Sequence, residues 1–151
     1  MPFETFAYRN RFSDLVVNEY EPSIGYCRES INVTPPAAGA PVLLGTVVFR
    51  AKGLDPAAAY APVSAALDLV ATNEFAVVIG DEYSFKESYV PNAIQVGEFN
   101  SVAYKRGPVI LKEYYIKQIA QAVGGAALTD AEFITLKELL KDQGIIVEKT
   151  L

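Results

Sequence analysis

The sequence predicts a mainly β fold with minor α structure: a small β-rich body, an extended N-terminal arm and a C-terminal capped helix. Three observations lead to this class. Short β-branched segments separated by Gly and Pro recur between residues 42 and 111, a pattern typical of a small barrel or sandwich. Residues 1–33 show no sustained helical period. One segment near the C-terminus carries a clear helix start signal.

The first 33 residues are rich in aromatic side chains. These are Phe3, Phe6, Tyr8, Phe12, Tyr20 and Tyr26. A disordered tail is usually poor in aromatics, because apolar burial is what offsets the entropy of ordering a chain. Two pieces of this stretch, 14–17 and 30–33, are β-prone, and a Pro-rich run at 34–41 favours an extended linker. We therefore assign residues 1–41 to an arm with its linker, and residues 42–151 to the body.

The body begins with a series of predicted strands. An almost continuous apolar run covers 42–50, and the clearest strand covers 74–80. A further strand is expected at 93–99, after an edge-like segment at 83–92 that contains a proline. Residues 101–111 give two short β segments around an Arg-Gly-Pro break.

The last third of the chain changes to a helical period. Residues 110–120 have partly helical spacing, and Thr129 with Glu132 forms a capping box that starts a helix over 130–143. Gly144 stands where a left-handed helix end is expected, and 145–147 is predicted to be a closing strand.

Composition argues against most enzyme classes. The chain has no histidine, so Ser-His-Asp and Cys-His catalysis and the usual zinc ligand sets are excluded. Its single cysteine, Cys27, is best explained as a small apolar residue. We expect a protein that is not an enzyme and that uses no cofactor or metal. A net charge of −5 disfavours nucleic-acid binding, and no apolar run is long enough to span a membrane.

Two groups of residues have both a simple structural explanation and a functional one. The acidic residues Asp81, Glu82 and Glu87 are better explained by a solvated turn than by a metal or acid/base site, because adjacent strand residues point to opposite faces. Tyrosines such as those at 60, 104 and 114 usually pack in or beside a core. They leave open an alternative function, a small β-barrel module that binds a ligand through tyrosine hydroxyls.

The arm is the predicted partner-binding site. Its aromatic side chains could fold back on the body, or they could add a strand to another chain's sheet and fill pockets there. The neighbouring arginines suit an acidic or carbonyl-rich partner surface. The candidate contact residues are Phe3, Phe6, Tyr8, Arg9, Arg11 and Phe12.

Three segments of the body follow one another in a recognisable order: Ala-Tyr-Ala-Pro-Val-Ser at 59–64, Phe-Ala-Val-Val-Ile-Gly-Asp at 75–81 and Lys-Arg-Gly-Pro-Val-Ile-Leu at 105–111. Together with the N-terminal arm, their order resembles the head decoration (capsid cement) proteins of tailed bacteriophages, the lambda-like group. The three segments cover roughly residues 42–116. The arm of this chain is long for that group, and the capped C-terminal helix lies outside the matched part.

The resemblance implies a β-tulip-like body and a structural virion protein. Proteins of this group are made in the host cytoplasm and bind the outer surface of the expanded capsid, where they stabilise the coat lattice against internal DNA pressure. The implied partners are the major capsid (coat) protein and neighbouring copies of the same chain in a homotrimer. In such proteins the N-terminal arm engages the coat lattice.

Overall fold

The computed structural model describes residues 15–34, 42, 44–80, 99–120 and 128–149. These residues form eight strands in two sheets, two α-helices and a single 3-10 turn at Ala66–Asp68. The predicted class, mainly β with minor α, is confirmed. The predicted edge segment at 83–92 and most of the strand at 93–99 lie outside the described residues.

The larger sheet has five antiparallel strands. Gly45 has a φ of 89° and lies in a turn, so the strand within the apolar run predicted over 42–50 begins after it, at Val47. In spatial order the strands are β2 (Arg28–Val33), β6 (Phe99–Tyr104), β5 (Asn73–Gly80), β3 (Val47–Ala51) and β4 (Ala61–Pro62).

The two edge strands of the larger sheet meet at one point. Val33, at the end of β2, forms a parallel bridge with Tyr60, the residue before β4. The Tyr60 N–H donates to the Asn32 carbonyl, and the Thr34 N–H donates to the Tyr60 carbonyl, both at 2.8 Å. Because this contact is a single bridge, the described strands do not form a closed barrel. In place of the predicted barrel, the described strands form a sheet whose two edge strands contact each other through one residue, Tyr60.

The smaller sheet joins the two ends of the described chain. Its central strand, β7 (Val109–Lys112), pairs antiparallel with β1 (Val16–Glu19) and parallel with β8 (Ile145–Glu148). The predicted strand at 145–147 corresponds to β8, and the β-prone segment at 14–17 overlaps β1, which begins at Val16 and extends to Glu19. Both strands pair with the strand that follows the Arg-Gly-Pro break.

Two helices pack against these sheets. Helix α1 (Glu113–Ala120) follows β7 directly, and helix α2 (Asp130–Asp142) begins at the predicted capping box. The Thr129 hydroxyl accepts from the Glu132 N–H, and the Glu132 carboxylate accepts from the Thr129 N–H at 2.7 Å. Phe133, Leu136 and Leu140 are buried, as their spacing predicts.

The central strands of the larger sheet carry buried side chains on both faces. One face packs with the helices and the smaller sheet in the main core, to which β5 contributes Phe75, Val77 and Ile79. The opposite face supplies a second, smaller group, here called the inner cluster. Its members are Ile31, Val33, Val42, Val48, Tyr60, Ala76, Val78 and Ala103. Alternation of side chains along each strand produces this division.

Part of the predicted arm belongs to the body. The sequence analysis assigned residues 1–41 to an arm and linker, but residues 16–33 supply β1 and β2, one strand to each sheet. Leu15, Cys27 and Val33 are fully buried. The difference has a physical reason: the two short strands find partner strands that lie far away in sequence, which local patterns do not reveal.

Candidate interaction surface

The predicted contact residues of the arm lie outside the described residues. This applies to Phe3, Phe6, Tyr8, Arg9, Arg11 and Phe12. The described part of the same aromatic-rich stretch contains Tyr20 and Tyr26, which the sequence analysis noted as aromatics but did not select as contact residues. They define the candidate site.

The turn between β1 and β2 exposes three large apolar side chains. Tyr20, Ile24 and Tyr26 are 51%, 73% and 45% exposed. The two tyrosine rings are 5.6 Å apart and meet edge to face at 88°. We call residues 20–26 the β1–β2 tip. Such amphipathic rings beside an exposed aliphatic side chain are typical of protein–protein contact surfaces.

The backbone of the tip is ordered by its own turns. Hydrogen bonds run from the Ile24 N–H to the Glu21 carbonyl and from the Arg28 N–H to the Gly25 carbonyl. Gly25 has a φ of 64°, and Glu21 has a φ of 48°, a region that residues other than glycine adopt rarely. The chain therefore holds the tip in a defined shape.

The base of the tip is fixed to the rest of the body. The Tyr20 N–H donates to the Pro108 carbonyl at 3.1 Å, and the Lys105 N–H donates to the Cys27 carbonyl at 3.0 Å. The guanidinium of Arg106 lies 5.5 Å from the centre of the Tyr26 ring. These contacts connect the tip to the segment between β6 and β7, so its exposed side chains stand on a rigid support.

A buried ionic cluster lies just below the tip. Arg28 donates two hydrogen bonds to the Glu19 carboxylate, at 2.8 and 2.7 Å, and the Tyr104 hydroxyl donates a third at 2.7 Å. The Glu19 side chain is only 4% exposed. This cluster connects β1 of the smaller sheet with β2 and β6 of the larger one.

The environment of this cluster shifts the pKa values of its members. Burial, the largest influence, raises the pKa of Glu19, but the hydrogen bonds from Arg28 and Tyr104 outweigh it and the pKa is lowered. Burial and the Glu19 carboxylate raise the pKa of Tyr104. Burial also raises the pKa of Cys27, whose thiol donates to the Tyr20 and Pro108 carbonyls. A thiol in this environment is a poor nucleophile.

The three candidate tyrosines lie in different environments. The Tyr60 and Tyr104 hydroxyls are buried and donate to different carboxylates, Glu74 and Glu19. Tyr114 on α1, by contrast, is exposed to solvent. The structure therefore places Tyr60 and Tyr104 in the framework of the sheets, where their hydroxyls are already bonded to protein groups.

An open groove lies between α1 and α2. It has a volume of about 400 Å³, and Tyr114, Phe133 and Ile134 supply its apolar surface. Lys117 crosses it to form an ion pair with Asp130 at 3.0 Å. Glu113, which also lines the groove, forms an ion pair with Lys137 at 2.7 Å, so three of the groove's charged groups are already engaged with protein groups. We regard the tip as the stronger candidate surface.

The acidic residues considered for a metal site are not described by the structure. Asp81, Glu82 and Glu87 fall in the range 81–98. Among the residues that are described, no group of three or more Cys, Asp or Glu side chains is arranged to hold a metal ion.

No protein-family model, no curated protein and no solved structure matches this chain. Within the described ranges, no helix has the length and apolar character needed to cross a bilayer.

Proposed function

We propose that the protein is a capsid decoration protein. It binds the outer surface of a bacteriophage head and stabilises the coat lattice against the pressure of packaged DNA. The observation that carries the proposal is the β1–β2 tip, where Tyr20, Ile24 and Tyr26 stand exposed on a rigid base. The resemblance of residues 59–64, 75–81 and 105–111 to lambda-like decoration proteins supplies the class of partner.

The tip supports attachment because of its chemistry. Tyrosine rings bury a large area at a low cost in side-chain entropy, and they still offer a hydroxyl to a partner's backbone. The tip also lies close in sequence to residues 1–14 of the predicted arm, since only Leu15 and β1 lie between them. Residues 1–14, with Phe3, Phe6, Tyr8 and Phe12, and the tip would then contact the coat protein together.

The proposed partners are the major capsid protein and neighbouring copies of this chain in a homotrimer on the virion surface. A lattice offers many equivalent sites, and a trimer engages several of them at once. Affinity per contact can therefore be moderate while the assembled coat is held firmly.

The test is binding to expanded heads assembled from the coat protein encoded in the same genome. Wild-type protein should co-sediment with heads at a fixed ratio to coat subunits and should raise the temperature at which the heads disrupt. Failure to bind would overturn the proposed function.

Matched variants test the contact surface. Ile24→Asp places a charge at the tip and should weaken binding by tenfold or more, since burial of a large aliphatic side chain contributes roughly 1.5–3 kcal/mol. Leu67→Asp is the control, because Leu67 is 87% exposed in the 3-10 turn. If Ile24→Asp and Leu67→Asp bind equally well, the tip is not the contact surface.

A further inference from the structure

The connection between β3 and β4, residues 52–60, brings the two edge strands of the larger sheet into contact at Tyr60. Residues 52–57 are exposed, and the connection buries only its last side chain, Tyr60, in the inner cluster. Tyr60 is also the residue that bridges the two edge strands. A segment with one buried side chain and solvent-exposed turns has a low free energy of local opening.

The Arg50 guanidinium bonds to three carbonyls of this connection. Arg50, at 7% exposure, donates from one nitrogen to the carbonyls of Asp55, Pro56 and Ala58, at 3.2, 3.2 and 2.9 Å. The Nε of the same guanidinium donates to the Glu74 carboxylate on β5. Because three carbonyls of the connection converge on one donor group, they are released together when that group loses its position.

Tyr60 completes the arrangement. Its hydroxyl donates to the same oxygen of Glu74 at 3.1 Å, and the Arg50 guanidinium lies 4.5 Å from the centre of its ring. At the outer side, the Asn32 amide donates to the Ala57 carbonyl at 3.1 Å. The contacts of residues 52–60 with the sheet thus combine these polar groups with the buried ring of Tyr60, and Glu74 joins Arg50 to Tyr60.

We propose that residues 52–60 form a strap that opens and closes the larger sheet as one unit, with the Tyr60–Glu74 hydrogen bond as its lock. Opening separates β2 from β4, exposes the inner cluster around Val33 and Val48, and frees the Asn32 carbonyl and the Thr34 N–H. The main core keeps its packing, because Tyr60 is not part of it. This proposal does not depend on capsid binding.

The molecule provides its own control for this proposal. The described residues include two Arg-Glu-Tyr clusters, Arg50–Glu74–Tyr60 at the strap and Arg28–Glu19–Tyr104 below the tip. Tyr60→Phe and Tyr104→Phe each remove one hydroxyl bonded to a carboxylate and keep the ring. Only the first of these hydroxyls belongs to the strap.

Amide hydrogen exchange followed by NMR tests the strap. The amides of Thr34 and Tyr60 report on the bridge, and the amide of Val78, which donates to the Thr46 carbonyl, reports on the sheet interior. Tyr60→Phe should lower the protection of the two bridge amides about tenfold relative to Val78, the scale of a lost hydrogen bond to a charged group. Tyr104→Phe should leave that ratio unchanged. An unchanged ratio in Tyr60→Phe, or an equal fall in both variants, would overturn the proposal.

A measurement on the wild-type protein keeps the test independent of how the variants fold. With rising denaturant, exchange at the Thr34 and Tyr60 amides should depend weakly on concentration, because local opening exposes little surface. Exchange at Val78 should depend strongly on it. If the bridge amides follow Val78 at every concentration, the strap does not open by itself and the proposal fails.

Discussion

Gly107 and Gly144 pack backbone against backbone where the β6–β7 connection passes the end of α2. A Cβ atom placed on Gly107 would lie 1.8 Å from the Gly144 carbonyl oxygen. Hydrogen bonds surround the contact: the Gly107 N–H donates to the Gln143 carbonyl, and the Val109 N–H donates to the Gly144 carbonyl. Glycine at both positions therefore lets β7 and β8 start side by side.

The first prediction concerns this contact. Gly107→Ala should destabilise the fold by about 3 kcal/mol or more, because a backbone oxygen cannot move aside as a flexible side chain can. Gly53→Ala is the matched control: its φ is 79°, but nothing lies within 4 Å of the added carbon. The control should lose only about 1 kcal/mol from its backbone conformation. Urea unfolding measures both, and equal losses would contradict the prediction.

The second prediction concerns Gln143, whose side chain continues the larger sheet beyond the end of β6. Its amide oxygen accepts from the Phe75 N–H at 2.8 Å, and its nitrogen donates to the carbonyls of Phe75 and Lys105 at 2.7 and 3.1 Å. Gln143→Ala should cost about 3 kcal/mol, because backbone groups of the buried Phe75 lose their partners. Gln118→Ala, at an exposed site on α1, should stay within about 0.5 kcal/mol of wild type in the same chemical denaturation series.

The third prediction separates the arm from the body. Deleting residues 1–33 removes β1, β2 and the buried side chains of Leu15, Cys27, Ile31 and Val33. At roughly 1.5–3 kcal/mol for each large apolar side chain, this loss is comparable to the whole stability of a small domain. Circular dichroism should show no cooperative melting for that deletion. Deleting residues 1–14 keeps both strands and should preserve a cooperative transition; a cooperative melt of the longer deletion would refute the assignment of residues 15–33 to the body.

The fourth prediction concerns acid stability. Burial raises the pKa values of Glu19 and Glu74, but hydrogen bonds from their Arg and Tyr partners outweigh it, so both lie below the ordinary 4.5. A carboxyl whose pKa is lowered on folding stabilises the protein above its unfolded pKa, and this contribution is lost as the pH falls through the folded value. Stability should therefore fall steadily as the pH drops below about 5.

Replacing one carboxyl group shows how much that group contributes to the loss of stability in acid. Glu19→Gln should be less stable than wild type at neutral pH, since Arg28 loses its charged partner, and should show a shallower decline in acid. Glu138→Gln, at an exposed site on α2, is the control and should follow the wild-type curve. Unfolding measured at a series of pH values decides this, and parallel curves for Glu19→Gln and wild type would be the contrary result.

Local signals in the sequence predict several elements well. The capping box places the start of α2 correctly, and the β-branched run at 74–80 predicts β5 to within a residue. In both cases the determinant is a contact within a few residues: a side-chain cap for the helix, and side-chain shape for the strand. The Arg-Gly-Pro break likewise separates β6 from β7 as expected.

Features that depend on distant pairing could not be predicted in the same way. Val16 pairs with Leu111, and Arg28 pairs with Tyr104, so the place of β1 and β2 in the body follows from strands near the other end of the chain. The candidate site was missed for a related reason. Tyr20 and Tyr26 are common aromatics in the sequence, and only the turn at Glu21 and Gly25 brings them together at the surface.

The smaller sheet also limits how early the chain can fold during synthesis on the ribosome. Its first strand ends at Glu19, but the central strand that pairs with it ends at Lys112, and its last strand ends at Glu148. Non-local pairing of this kind slows folding. Strand β1 therefore has no partner strand from this sheet until β7 has been synthesised, and the sheet can be completed only after Glu148 has been added.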